Sequence, residues 1–285
     1  MSSLTGQSLA GVRMIATDID GTLLRSDYTI SERTSEAIRR AQGSGLPVVF
    51  VTGRPPRWLD EIAALSGHTG VAVSANGAVI YDLATAQIVA SAPLHPPTLG
   101  EITSVLRELF ANVVFGVEYG MSFAHEPEYR HDWEISPLVD RAGNRIAPPT
   151  VAELDMIITQ PAVKLLAKDR TATPDEFMYA AAVALAGRCT VTHSSRTALL
   201  EISAHGVTKA TGLAQVAQSM GIESSEVAAI GDMPNDLPMY EWAGHTFAVA
   251  NAHPAVREAA DHIVGSNDED AVAQLIESVL AARGD

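Results

Sequence analysis

Residues 46–51 read LPVVFV, apolar on both faces of any strand they form. Such a strand must be covered above and below, which is the position of an interior strand in a parallel sheet with helices on its two faces. The flanking sequence agrees. Residues 12–17 make a short, mostly apolar strand candidate before it, and Val71–Ser74 another after it. Between the first two, Ser31 is placed to cap a helix carrying Ala37, Ile38 and Ala41 on one face, and Gly43 and Gly45 stop it. A proline-initiated helix over 55–65 joins the second strand to the third. Strand, helix, strand, helix, strand implies right-handed crossovers and a doubly wound sheet.

The rhythm then breaks. Residues 79–81 and 88–90 read as a hairpin, and Leu99, Ile102, Leu106 and Leu109 make one helical face. Strands are expected over 113–117, 122–124, 156–158, 163–167, 190–193 and 199–202, with a helix over 174–185. The stretch 126–150 is polar, contains proline and glycine, and reads as irregular. From Lys209 the first rhythm returns, with a helix to Met220, strands over 227–230 and 247–249, and helices near Met239 and over 254–260 and 269–282. The expected fold class is α/β, a Rossmann-like doubly wound parallel sheet core with an inserted α+β cap domain. Its expected boundaries are core over 1–83, cap over 84–203 and core again over 204–285, with hinges near 81–84 and 203–206.

Composition narrows the function classes. The 285 residues include 34 acidic and 19 basic ones, a formal charge of −15, and no Lys/Arg stripe interleaved with aromatics. Such a surface repels phosphate backbones, so no nucleic acid and no anionic membrane is expected as a partner. No apolar run approaches the ~20 residues of a membrane span, and residues 1–11 lack the apolar stretch of a signal peptide. A cytoplasmic protein, monomer or small homo-oligomer, is the expectation. The lone Cys189 cannot form an intramolecular disulfide or build a multi-cysteine zinc site.

Four polar clusters fall at predicted strand ends, where open parallel sheets bind ligands. Thr17-Asp18-Ile19-Asp20-Gly21-Thr22 follows the first strand. Two carboxylates at i and i+2 in a glycine-containing turn can hold a hard cation and still present an oxygen as nucleophile. Thr52-Gly53-Arg54, after LPVVFV, offers a hydroxyl, close backbone approach and a helix N-terminus, the parts of an anion site. Lys209 lies in a first helical turn, where the macrodipole disfavours a cation; neutralising a phosphate or a nucleophilic carboxylate is one reason for it, and a solvated surface lysine is the other reading. Gly231-Asp232-Met233-Pro234-Asn235-Asp236 adds two carboxylates and an amide, oxygen ligands suited to Mg²⁺. Each cluster alone also reads as a turn or a cap; all four at strand ends do not.

In this order the clusters resemble the signature of the haloacid dehalogenase (HAD) superfamily, and the insertion between the second and third resembles its Cof-type subfamily with the type IIB cap. Ser74-Ala75-Asn76-Gly77, Gly206-Val207-Thr208-Lys209, Asn251 and Asn267-Asp268 fit as well, whereas Ala250 and Ala271 stand where such proteins usually carry glycine. The resemblance implies a phosphoric monoester hydrolase with Asp18 as nucleophile, forming an aspartyl-phosphate, and Asp20 as general acid and base. It implies Mg²⁺ held by Asp18, the Asp20 carbonyl and Asp232, with Asn235 and Asp236 in support. Thr52, Gly53 and Lys209 would bind the phosphoryl oxygens; Arg54, Asn76 and Gly77 would face the substrate, and Thr22 would support the nucleophile loop. Candidates for reading the leaving group on the cap are Glu118, Tyr119, His125, Arg130 and His131. The implied substrate is a small phosphorylated metabolite, sugar phosphates first. The alternatives are a phosphotransferase and a non-enzymatic phospho-acceptor or binding module; a poised Asp20 and a large cap argue against a long-lived phosphorylated state.

Overall fold

The structure is a computed structural model that describes residues 9–130, 147–193 and 198–285. The chain begins with β1 (Met14–Thr17), α1 (Glu32–Gly43), β2 (Val48–Val51), α2 (Leu59–Ser66), β3 (Val71–Ser74), β4 (Val79–Asp82) and β5 (Gln87–Ser91). Its middle runs α3 (Pro96–Leu109), β6 (Val114–Glu118), β7 (Phe123–His125), β8 (Thr150–Val151), α4 (Leu154–Ile157), β9 (Lys164–Lys168), α5 (Pro174–Ala184), β10 (Cys189–Thr192) and β11 (Leu199–Ala204). It closes with α6 (Lys209–Ser219), β12 (Val227–Gly231), α7 (Leu237–Trp242), β13 (His245–Ala248), α8 (Pro254–Ala259), β14 (His262–Ile263) and α9 (Ala271–Arg283).

The larger sheet has the order β14-β13-β12-β1-β2-β3-β4-β5. It is parallel from β14 to β3 and antiparallel across its last two pairs. From β1 the chain winds outward through β2 and β3, then returns to β12 on the other side of β1. That reversal leaves a crevice beyond the carboxyl ends of β1 and β12. All four residues of β2 are buried, as its two apolar faces require. The Ser31 hydroxyl caps α1 by accepting from the Thr34 amide at 3.0 Å, and α1 packs on α9.

The smaller sheet, β10-β11-β9-β6-β7-β8, is antiparallel except for the β7–β8 pair. It has a core of its own, in which Leu99 and Leu106 of α3 and Phe177 of α5 meet Phe115, Leu165 and Ile202.

The fold departs from the sequence expectations at several places, among them Thr150, expected in an irregular stretch and found in β8. The second strand of the hairpin, beyond the expected boundary at residue 83, hydrogen-bonds into the larger sheet as β5. The expected hinge at 81–84 therefore comprises the end of β4 and the start of the hairpin turn, and the Leu83 amide is bonded to the Gly70 carbonyl at 3.0 Å. Residues 154–157 form a helical turn, not a strand: β9 already pairs with β6 on one side and β11 on the other, so no edge is left for 156–158. The short strand β14 was not foreseen, since two residues carry no readable alternation.

Candidate active site

Asp18 leaves the end of β1 with its amide bonded to the Ile230 carbonyl of β12 at 3.0 Å, which ties the two strand ends together. The loop Ile19–Leu23 then turns through Gly21, at φ 74°. A Cβ at Gly21 would lie 2.4 Å from Asp232 Oδ2, so only glycine lets the two loops approach this closely. The Thr22 hydroxyl donates to Asp232 Oδ1 at 3.1 Å. Asp236 is anchored from both sides. Its Oδ2 accepts the amides of Asp232 and Met233 at 2.9 and 3.0 Å, and its Oδ1 accepts Lys209 Nζ at 2.6 Å. Lys209 also donates to Asp18 Oδ1 at 2.6 Å and is only 1% exposed. Thr208 and Thr211 cap the start of α6 reciprocally and so fix where this lysine emerges.

Ligand oxygens of Asp18, Asp232 and Asp236 lie within 4.8 Å of one another. Three carboxylates against one ammonium leave two buried negative charges. Burial pushes the Asp18 carboxyl well above the usual carboxylate range; Lys209 opposes this, and Asp236, Asp232 and Asp20 reinforce it. Burial and then Asp236 lift Asp232 to about 6. Burial alone would lower Lys209, but Asp18 and Asp236 outweigh it and hold the lysine protonated. On the loop that carries Asp232 and Asp236, the buried Asn235 Oδ1 has no hydrogen-bond partner among the described residues. An excess of two negative charges, three convergent carboxylates and an orphaned amide oxygen fit a hard divalent cation with oxygen ligands.

Asp20 lies outside the cluster. Its side chain is 48% exposed and takes a bidentate bond from Arg54, Nε to Oδ2 at 2.8 Å and Nη2 to Oδ1 at 2.5 Å. Thr52 is buried, and its hydroxyl accepts the Arg54 amide at 3.1 Å. The neighbouring strand-end loop laces onto this one. Ser74 Oγ and the Ala75 amide both donate to the Arg54 carbonyl, at 2.6 and 2.9 Å, and the Asn76 amide donates to the Thr52 carbonyl at 3.0 Å. Asn76 adopts left-handed φ (55°), and its side chain bonds Asn235, Thr192 and Glu201. Gly77, at φ 102°, has no room for a Cβ, which would sit 1.9 Å from the Thr208 carbonyl. It is pressed against the start of α6 and sets the position of Lys209. Farther out, Asn251 Nδ2 donates to the Gly21 carbonyl at 2.8 Å and Asn267 Nδ2 to the Leu24 carbonyl at 2.9 Å, strapping the loop after β1 from behind.

A cleft of about 520 Å³ opens over these groups, with Asp18, Asp20, Thr52, Arg54 and Asn235 below and Glu118, Lys164, Leu166, Leu199 and Glu201 of the smaller sheet above. Of the cap candidates, Glu118 lines this cleft and is held in a buried ion pair by Arg57. Tyr119 instead donates its hydroxyl to the Ile157 carbonyl. His125 is buried, its Nδ1 2.7 Å from the Glu126 carbonyl. Arg130 is exposed, and its carbonyl accepts Lys168 Nζ at 3.0 Å. His131 lies outside the described residues.

Three charged residues that the sequence reading passed over meet the site. Lys164 Nζ donates to the Gly53 carbonyl at 2.6 Å and to Glu201 Oε2 at 3.2 Å. Glu201 accepts Asn76 Nδ2. Arg57 spans the two sheets through Glu118 and lies 5.2 Å from the Trp58 ring. The available signal was a single charge inside an apolar strand run, VKLLA for Lys164 and LLEIS for Glu201. Buried charges of that kind need a dedicated partner.

Comparison with known proteins agrees with this geometry. Residues 15–276 match the haloacid dehalogenase-like hydrolase family. The chain is 29% identical to the 5-amino-6-(5-phospho-D-ribitylamino)uracil phosphatase YcsE of Bacillus subtilis, over 93% of this chain and 94% of that one. Its fold superposes on SMU.1108c of Streptococcus mutans with a TM-score of 0.82 at 23% identity, covering 95% and 99% of the two chains. It also superposes on BT4131, a sugar phosphatase of HAD subclass IIB, with a TM-score of 0.76 at 18% identity, covering 93% and 98%. At these identities the two structures speak for the fold alone. With its four strand-end loops meeting around Asp18 and its family match spanning both sheets, the chain belongs to the haloacid dehalogenase-like hydrolases and is a phosphatase of that family.

Proposed function

We propose that this protein is a Mg²⁺-dependent phosphomonoesterase that hydrolyses small phosphorylated metabolites, sugar phosphates among them, through an aspartyl-phosphate on Asp18. The observation that carries the reading is Lys209 Nζ at 2.6 Å from both Asp18 and Asp236. A buried ammonium there opposes the burial that favours the protonated form of Asp18, and so favours the ionised carboxylate that an in-line nucleophile needs. Asp18, Asp232 and Asp236, with Asn235 and the Asp20 carbonyl, would hold Mg²⁺. When bound, the cation offsets the repulsion between an anionic nucleophile and an anionic phosphate.

The Thr52 hydroxyl, the Gly53 amide and Lys209 would receive the phosphoryl oxygens, donors set before the reaction begins. Asp20 would protonate the leaving alcohol and then draw a proton from the attacking water. In the arrangement described, Arg54 holds Asp20 at the cleft rim, so acid catalysis requires the pair to part. That parting frees the guanidinium for substrate. A roofed cleft of about 520 Å³ suits a metabolite and excludes a folded protein. YcsE acts, by its name, on a phosphorylated ribitylamino-uracil, a sugar-alcohol phosphate, which supports a substrate of this size and kind. The division into core and cap is part of the proposal, with the smaller sheet moving over the crevice to admit substrate and exclude water.

The test is phosphate release from p-nitrophenyl phosphate and a panel of phosphorylated metabolites, with Mg²⁺ or EDTA. Turnover that needs the metal and disappears in Asp18→Asn is expected. Turnover unchanged by EDTA would remove the metal from the proposal, and none across the panel would remove the phosphomonoesterase.

A further inference from the structure

Glu201 belongs to the smaller sheet, yet its carboxylate ends a line of side chains that runs to the acidic cluster of the larger one. Asn76 Nδ2 donates to Glu201 Oε2, Asn235 Nδ2 donates to Asn76 Oδ1 at 3.3 Å, and Asn235 Oδ1 is left buried with no partner among the described residues. Glu201, Asn76 and Asn235 are 6%, 2% and 6% exposed, so water does not readily substitute for any of these bonds. Asn235 adjoins Asp236, whose carboxylate is fixed by Lys209.

The direction of this line is decided at one end. A primary amide can present either its oxygen or its NH₂ to a neighbour, whereas an ionised carboxylate only accepts. Glu201 therefore selects the NH₂ end of Asn76, which turns the Asn76 oxygen toward Asn235. That oxygen in turn selects the NH₂ end of Asn235, and the Asn235 oxygen is left as the free group. Lys164 Nζ, 3.2 Å from Oε2, pairs with Glu201 and ties it to the Gly53 carbonyl.

We propose that Glu201 is a positioning residue which, from the cap sheet and through Asn76, fixes the amide of Asn235 with its oxygen available to the divalent cation. The proposal rests on the metal-dependent reading above. It assigns the cap a second task besides covering the substrate, since the cation site has its full set of oriented oxygens only while β11 is seated on the core. A Gln at 201 presents either amide end and abolishes the selection at almost no cost in volume.

The experiment is calorimetric titration of Mg²⁺ and of Mn²⁺ into the substrate-free protein, for wild type, Glu201→Gln, Asn76→Gly and Asp232→Asn, with thermal unfolding of each. Asn76→Gly removes the relay with a residue that accepts the left-handed backbone. The expected result is metal affinity lowered about tenfold in both relay variants, with melting temperatures close to wild type, and a greater loss in Asp232→Asn. Should Glu201→Gln not fold, Asn76→Gly decides alone. Wild-type affinity in the folded relay variants, together with a loss in Asp232→Asn, would overturn the relay and leave the phosphatase reading standing. Absence of metal binding by the wild type would instead overturn the reading on which both depend.

Discussion

The floor and the roof of the cleft are built on opposite plans. Below, Asp18, Lys209, Asp232 and Asp236 crowd several charges into a buried space, the three aspartates carried by loops at the ends of the parallel strands β1 and β12 and the lysine by the first turn of α6. Above, the smaller sheet contributes charges one at a time, Glu118 from β6, Lys164 from β9 and Glu201 from β11, each from a strand that is otherwise core. The floor's residues answer chiefly to one another across strand ends. The roof's charges answer chiefly to the floor: Glu118 to Arg57, Lys164 to Gly53, Glu201 to Asn76. The floor is thus suited to chemistry and the roof to holding position, and the two should fail differently when cut.

The largest effect is expected at the floor. Asp18→Asn removes the proposed nucleophile and should lower phosphate release by at least roughly 10⁴-fold in steady-state assays, with the fold intact by circular dichroism. Lys209→Met comes next. It strips the cation shared by Asp18 and Asp236, and a fall in kcat of about 10³-fold is expected, with unfolding free energy lower by roughly 3 kcal/mol and partly regained on adding Mg²⁺. If kcat survives, the lysine serves packing alone and the contrast between floor and roof is lost.

At the roof, Arg57→Met keeps the stem but leaves Glu118 buried without its partner, a change that typically costs about 3 kcal/mol. Denaturant unfolding should detect that loss, while KM rises and kcat stays within a few-fold. A kcat loss as deep as that of Lys209→Met would make the roof part of the chemistry. The mildest test lies outside both. His68, packed 4.3 Å from the Phe50 ring, is pushed down by burial from its ordinary 6.5 to about 4. Between those two values the unfolded chain binds the proton and the folded one does not, so stability falls as pH drops from 6.5 toward 4, by up to about 3 kcal/mol. His68→Leu should flatten that limb in urea unfolding at pH 7 and pH 4.5, and leave kcat at neutral pH unchanged.

The same contrast explains what could be read in the sequence. The floor was legible because each of its loops must combine a strand end, a tight turn and a ligand within a few residues, and DIDGT, TGR and GDMPND each compress all three. The roof was not. Its residues are single charges on separate strands, and their meaning lies in partners more than fifty positions away, such as Gly53 for Lys164. Among the candidates for reading the leaving group, Tyr119 and His125 bond backbone carbonyls beside the smaller sheet. Polarity alone does not say which face of a sheet a side chain occupies. The misread strand at 156–158 has a related cause, since whether an apolar triplet becomes strand or helix depended on an edge that β6 and β11 had already taken.

The register of β1 has a consequence for how the protein comes into being. Met14 pairs with Val227, Thr22 reaches Asp232 across 210 positions, and Asp18 meets Lys209 across 191. During synthesis, Asp18 therefore emerges long before Lys209, Asp232 and Asp236, whereas Arg54, the partner of Asp20, follows within 34 positions. An aspartate-rich strand end must wait, with one flank of its strand unpaired, until the last quarter of the chain appears. Contacts this distant make for slow folding, and a chain stopped before residue 227 would carry Asp18 and Lys209 without Asp232, Asn235 or Asp236.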